Sequence, residues 1–109
     1  AIKVRFSTAN NVQGIVRLGG LNVVSGTIPY NPNKNKIAVQ WSVGNHLVYI
    51  NGVEVASSTN SSTFTTGLFT DLKFQYPQFG IQNFYSKVFD LRVYNEALTD
   101  AELTTLTTL

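Results

Sequence analysis

The chain has 109 residues, enough for one small domain whose folding buries roughly 65% of the unfolded surface. It contains no cysteine, which excludes a disulfide framework and a thiolate metal site. The net charge is +2, and its eight cations (Lys3, Arg5, Arg17, Lys34, Lys36, Lys73, Lys87 and Arg92) are scattered rather than clustered in the stripe a nucleic-acid site needs.

Ile2, Val4 and Phe6 alternate with Lys3, Arg5 and Ser7, the period of a strand with one buried face. Val12 to Leu18 is a second apolar run, and Gly14 inside it marks a bulge or a close backbone approach. Gly19-Gly20 ends that run. Leu21–Val24 and Thr27–Tyr30 read as two short strands around Ser25-Gly26, and Asn31-Pro-Asn-Lys-Asn35 reads as a surface loop. Ile37, Val39, Trp41 and Val43 then alternate with polar or small residues, which makes 36–43 an amphipathic strand with Trp41 in the core. Gly44-Asn45 turns it back into Leu47–Ile50, and Asn51-Gly52 turns again into Val53–Val55. Asn-Gly supplies the positive φ angles that a type I′ hairpin demands. Residues 36–56 are therefore expected to form a three-stranded meander.

Ser57–Thr66 is Ser, Thr and Asn around Phe64, a loop or ragged edge strand. Asp71–Tyr76 is a further strand, Pro77–Asn83 a loop, and Tyr85–Tyr94 the last long strand, with Phe89, Leu91 and Val93 on one face. The helical signal lies at the end. Thr99 is an N-cap, Glu102 completes a capping box, and Leu98 with Leu103 stand where a hydrophobic staple requires them. A turn so short must pack on a sheet to persist. Many short strands closed by one helical turn predict an all-β antiparallel two-sheet sandwich with Greek-key connections.

Lys36-Ile-Ala-Val-Gln-Trp41, then His46-Leu-Val-Tyr-Ile-Asn-Gly-Val-Glu-Val55, then Phe84-Tyr-Ser-Lys-Val-Phe-Asp-Leu-Arg-Val-Tyr-Asn-Glu-Ala-Leu-Thr-Asp-Ala-Glu-Leu103 resembles the concanavalin A-like lectin/glucanase (laminin-G-like) jelly roll. In that family a strand is followed by a Tyr-Val/Ile-Asn-Gly hairpin. The domain closes on an Asp-Leu-Arg-Val-Tyr-Asn strand that runs into a Leu-Thr-x-x-Glu-Leu turn. The resemblance runs over residues 34–106, and its Thr-rich ending looks like versions found in bacteriophage tail-fibre and appendage proteins. Members of the family usually run longer, so the early strands here look shortened. That implies a sheet completed by another chain, with a trimer favoured. The whole chain is expected to be a single lectin-like domain. Lacking an initiating Met and a secretion signal, it is expected to be the C-terminal part of a longer protein.

The acidic residues are Glu54, Asp71, Asp90, Glu96, Asp100 and Glu102. Glycoside hydrolysis needs two carboxylates roughly 5–10 Å apart, and in the glucanases these alternate along one strand. No two acids here sit at i, i+2 on an expected strand; Asp100 and Glu102 open the helix, and Asp90 is expected to pair near Arg92 or a loop amide. No catalytic residue is assigned. His46 reads as a turn-exposed residue starting a strand. Asn31, Asn33 and Asn35 have ligand-like spacing but are neutral, whereas calcium wants several charged oxygens. No metal ligand and no cofactor is expected.

The best binding candidate is the aromatic segment 74–85. A sugar face is met by an aromatic platform with amides beside it. Tyr76, Gln78, Phe79, Gln82, Asn83 and Tyr85 offer both, while Phe74 and Phe84 are assigned to the core. For Tyr76 and Phe79, ligand platform, subunit interface and core all remain open. The expected function is non-catalytic binding of a glycan or host surface receptor by a phage fibre or appendage, on the outer face of the virion. The partners are a homo-oligomer or another virion chain, without nucleic acid and without membrane insertion. The alternatives are a structural virion module (capsid decoration or fibre trimerisation) and an accessory domain of a secreted glycoside hydrolase.

Overall fold

A computed structural model of the chain describes residues 1–6, 10–65, 67–69, 75–76, 82–83 and 87–109, with backbone alone at 75–76 and 82–83. The chain divides into two compact units, Ala1–Phe64 with Glu96–Leu109, and Thr65–Asn95.

The first unit holds two three-stranded antiparallel sheets and a helix. The N-terminal sheet is β1 (Ile2–Phe6), β2 (Asn11–Leu18) and β3 (Leu21–Pro29). The second sheet is β4 (Ile37–Gln40), β5 (His46–Ile50) and β6 (Val53–Ser58). β2 packs over β4 and β5, and β3 packs over β5 and β6. The two sheets thus form the expected sandwich. Among the described strands each sheet is a simple meander, with two-residue turns at Gly19-Gly20 and Asn51-Gly52 rather than Greek-key crossings.

The core between the sheets is Val12, Val16, Val24, Val48 and Ile50, with Ile37, Val39, Trp41 and Phe64 packed against it. Two glycines make this close approach possible. Gly14 of β2 lies directly opposite Gly26 of β3. A Cβ on Gly14 would stand 2.7 Å from Val48 Cγ1, and one on Gly26 would stand 2.6 Å from Val55 Cγ2. Gly14 is therefore a close-approach glycine, one of the two expected roles. Gly26 explains a correction: Ser25-Gly26 does not interrupt the sheet, because β3 runs unbroken through it and uses the missing side chain to seat the second sheet.

Residues 36–56 form the expected meander, but its first strand stops at Gln40 instead of running to residue 43, and Val43, expected on the buried face, is exposed at the turn. Asn51 and Gly52 have φ of 53° and 84°, the positive pair a type I′ turn needs. The helix α1 (Asp100–Thr107) lies on the outer face of the second sheet, where Leu103 and Leu98 pack on Leu47, Tyr49 and Ala38. β5 is consequently covered on both faces, and all five of its residues are buried. Thr99 caps the helix: its Oγ1 accepts the Glu102 N–H at 3.2 Å and donates to Glu102 Oε1 at 3.0 Å. At the other end, the Thr107 hydroxyl accepts the Gly52 N–H at 3.2 Å and donates to Leu103 O at 2.8 Å. The closing helix and the Asn-Gly hairpin are thereby tied together.

Two expectations on strands fail. The apolar face of β1 is not buried throughout, since Val4 and Phe6 are each nearly half exposed. The second sheet extends only to β4, and β1 lies beside β2 with no comparable described strand across from it. The second failure is Tyr85–Tyr94, expected as the last long strand: its described residues, 87–94, form no strand. A period-two pattern becomes a strand only when an edge supplies backbone partners. Here Phe89 and Val93 are 82% and 75% exposed. In this second unit the strands are β7 (Gln75–Tyr76) and β8 (Gln82–Asn83), which pair antiparallel.

Candidate functional site

The aromatic segment is built around the β7–β8 pair. Its register sets Gln75 opposite Asn83 and Tyr76 opposite Gln82. The backbone therefore brings three of the six proposed ligand-binding residues, Tyr76, Gln82 and Asn83, to one short antiparallel ladder. The expected Asp71–Tyr76 strand is present at 75–76, and Gln82–Asn83, expected as the end of a loop, is its partner. Gln78, Phe79 and Tyr85, together with Phe74, Phe84 and residues 71–74, lie outside the described residues.

His46 overturns its expectation. It is fully buried on β5, not turn-exposed. The cause is the Ser/Thr/Asn segment after β6, which folds back over the strand start. Gly44 N–H donates to Asn60 O at 3.0 Å, and His46 Nε2 lies 2.9 Å from Ser62 O. A carbonyl can only accept, so Nε2 is the donor of this bond. Nδ1 has no hydrogen-bond partner among the described residues. No side-chain hydroxyl or carboxylate among the described residues is hydrogen-bonded to this histidine, and its observed bond fastens a loop.

Gln40 is the corresponding buried polar group on the opposite face of the second sheet. Its Oε1 accepts the Leu98 N–H at 3.1 Å and so fixes the approach to α1. The Asn31–Asn35 loop is closed by its own amides. Asn31 Oδ1 accepts the Asn33 N–H at 2.9 Å, and Asn35 Oδ1 accepts the Asn31 N–H at 2.8 Å and Asn51 Nδ2 at 3.0 Å. Asn51 Oδ1 in turn accepts the Lys36 N–H at 2.9 Å. These oxygens are engaged in a turn that braces the hairpin, as the loop reading requires.

Asp90 pairs with Arg92 at 2.9 Å, as expected, and both side chains are well exposed. Asp100 and Glu102 sit in the first turn of α1, and Glu54 lies on β6. Asp100 also acts on Tyr49. Burial first, then the charges of Asp100 and Glu54, push the phenol above its ordinary value.

Sequence reasoning missed one polar arrangement. On the solvent face of the N-terminal sheet, Arg5 Nε donates to Gln13 Oε1 at 2.6 Å, and Gln13 Nε2 donates to Ser25 Oγ at 2.8 Å. The sequence carries only part of the signal: a two-residue Gly19-Gly20 turn alone would set Ser25 opposite Gly14, and the bulge between Val16 and Arg17 brings Ser25 to the Gln13 face as its diagonal neighbour.

Comparison with curated proteins and with solved structures gave no match. The laminin-G family model that describes the concanavalin A-like lectin/glucanases superfamily matches residues 1–104, almost the entire chain. That span takes in both sheets, the 75–83 ladder and the capped start of α1. With its sandwich of antiparallel sheets and its closing helix, this chain belongs to the concanavalin A-like lectin/glucanase superfamily.

Proposed function

We propose that the domain is a non-catalytic module of a bacteriophage fibre or appendage that binds a glycan or a host surface receptor, displayed on the outer face of the virion. The observation that carries this reading is the family match over residues 1–104, a fold built to recognise carbohydrate. The β7–β8 ladder supports it locally, because its register gathers a tyrosine and amide residues on one short strand pair. Several copies would raise avidity with no new contact.

The test is a glycan array read with the intact chain and with a Tyr76→Ala/Phe79→Ala variant. Binding that disappears in the variant, with the melting transition retained, supports the site. Glycan binding that survives the variant moves the site elsewhere, and hydrolysis of any bound glycan refutes the non-catalytic reading.

A second reading, a structural virion module, is favoured by the apolar stripe at 88–94, where Phe89 and Val93 stand exposed. Light scattering separates the two. A stable trimer of the 12.0 kDa chain that falls apart on Phe89→Ser/Val93→Ser supports an assembly surface there; a monomer does not.

A further inference from the structure

Asn51 is the one asparagine of the chain that is followed by glycine. The pair that makes a good two-residue turn is also the asparagine sequence most prone to deamidation. Glycine has no side chain to keep its nitrogen from the asparagine Cγ, and its backbone turns freely. In that reaction the Gly52 nitrogen forms a bond to Asn51 Cγ and gives its proton to solvent. The Cγ–Nδ2 bond breaks, and Nδ2 leaves as ammonia. Water then opens the five-membered imide. Attack at Cγ leaves aspartate; attack at the main-chain carbonyl carbon leaves isoaspartate, whose backbone runs through Cγ and is one carbon longer. One water is consumed and one ammonia released, with no change of oxidation state.

The fold holds each group that this step must move. Asn51 Oδ1 accepts the Lys36 N–H at 2.9 Å, and Asn51 Nδ2 donates to Asn35 Oδ1 at 3.0 Å. Both ends of the leaving amide are thus tied to the chain just before β4. The Asn51 main-chain N–H donates to Lys36 O at 2.9 Å. The nucleophile is held as well, because the Gly52 N–H donates to Thr107 Oγ1 at 3.2 Å. Thr107 is buried and is fixed in turn by its bond to Leu103 O. Cγ cannot swing toward the glycine nitrogen without breaking two bonds from the Asn51 amide. The nitrogen cannot attack without leaving the helix.

We propose that Asn51 is a gated modification site. The last turn of α1 and the Asn31–Asn35 loop suppress its deamidation while they stay closed on the hairpin, and conversion proceeds when they come away. Helix ends fray more readily than a sheet core opens, so the gate opens locally while the sandwich stays folded. Conversion is one-way. Aspartate at 51 has no donor for Asn35 Oδ1, and two acceptor oxygens would face each other where the amide bond now spans 3.0 Å. Isoaspartate lengthens a turn whose two residues set the β5–β6 register. The gate therefore closes less well on the product than on asparagine. This inference is independent of the glycan-binding reading and uses no residue of the 74–85 segment.

The test ages the full chain at one pH and temperature, folded and in urea. Tandem mass spectrometry of the tryptic peptide 37–73 reads conversion separately at Asn45, Asn51 and Asn60. In urea Asn51 should convert first, since His46 and Ser61 follow the other two. In the folded chain its rate should fall at least about ten-fold. Thr107→Val frees the Gly52 N–H, and Asn35→Ala frees the Asn51 amide. Each removes one hydrogen bond and should speed folded-state conversion roughly five-fold. Asn35→Ala carries the test if Thr107→Val does not fold. Gly14→Ala strains the core away from the hairpin and should change the rate little.

Equal rates at Asn51 in the folded chain and in urea overturn the proposal. So do unchanged rates in both Thr107→Val and Asn35→Ala. An acceleration by Gly14→Ala as large as theirs would mean that conversion waits for global unfolding, and would overturn the local gate. Chains converted in urea and refolded should unfold at a lower urea midpoint than fresh chains; an unchanged midpoint would overturn the one-way step.

Discussion

Replacing Gly14 by Ala tests whether the two sheets meet as closely as the geometry says. In most strands this change is favourable. It removes backbone freedom from the unfolded chain and stabilises by about 0.4–1 kcal/mol. At Gly14 the new methyl would lie 2.7 Å from Val48 Cγ1 and 3.0 Å from Val39 Cγ2. Neither neighbour can swing away. Both are β-branched and stiff at χ1, and Val48 is fully buried in the core. Overpacking of this kind costs about 1–3 kcal/mol, so the clash outweighs the entropy gain. The net expectation is a loss of about 1–2 kcal/mol, or about 4–8 °C in Tm for a domain of this size.

Urea unfolding followed by Trp41 fluorescence is a suitable assay, because Trp41 packs against the affected core. Val48→Ala alone should cost about 2–3 kcal/mol through its cavity. The double variant should cost less than the two single losses together, by about 1 kcal/mol or more, because the methyl introduced at Gly14 occupies space that Val48 vacated. Gly26→Ala should behave like Gly14→Ala, since its methyl would meet Val55 Cγ2 at 2.6 Å and Ala56 Cβ at 3.0 Å. A stabilised Gly14→Ala protein, or strict additivity with Val48→Ala, would show that the sheets stand further apart and would sink the account of both glycines.

Gly52→Val should destabilise by about 2–3 kcal/mol. It forces a β-branched residue to a φ of 84° and drives its Cβ to 3.0 Å from Thr108 Oγ1; Gly52→Asn should cost clearly less, and equal urea midpoints for all three proteins would refute the type I′ turn. The Tyr49 phenol is raised above its ordinary value by burial and then by the Asp100 and Glu54 charges. The folded state therefore holds that proton more tightly than the unfolded chain does. The associated stability is complete below about pH 10 and is lost as pH rises through the folded value. In an alkaline titration of phenolate absorbance one tyrosine should ionise late, and Asp100→Asn should bring it earlier; simultaneous ionisation of all tyrosines would contradict the packing of α1 on Tyr49.

The parts of the fold that were legible in the sequence are those written in local chemistry. Asn51-Gly52 specifies a turn by its φ angles, and Thr99 with Glu102 specifies a helix start by its donors. Alternation over 36–43 identifies which residues share a face. None of these says what lies across from that face. Val4 and Phe6 look as apolar as Val12 and Val16, but only the latter pair has a described strand opposite. Phe89, Leu91 and Val93 alternate as well as any strand does, and they find no described backbone partner. His46 was misread for the same reason. Its burial comes from Asn60 and Ser62, residues of a segment whose composition says only that it is polar. The continuity of β3 was not legible in the same way: a two-residue turn at Gly19-Gly20 alone would set Gly14 opposite Ser25, and it is the bulge between Val16 and Arg17 that brings Gly26 across from it. For the candidate site the sequence names residues that can meet a sugar. The register then places Tyr76, Gln82 and Asn83 on one ladder, which composition alone could not do.

The offset between the sheets has a physical consequence for β1. β2 and β3 are held by hydrogen bonds on their edges and by apolar burial beneath. β1 has the hydrogen bonds to β2 but, beyond Ile2, little of the burial. Phe6 recovers part of that loss by meeting the Tyr30 ring edge to face at 6.2 Å. An exposed strand edge invites pairing with other chains unless charge discourages it. Lys3 and Arg5 supply that charge on β1.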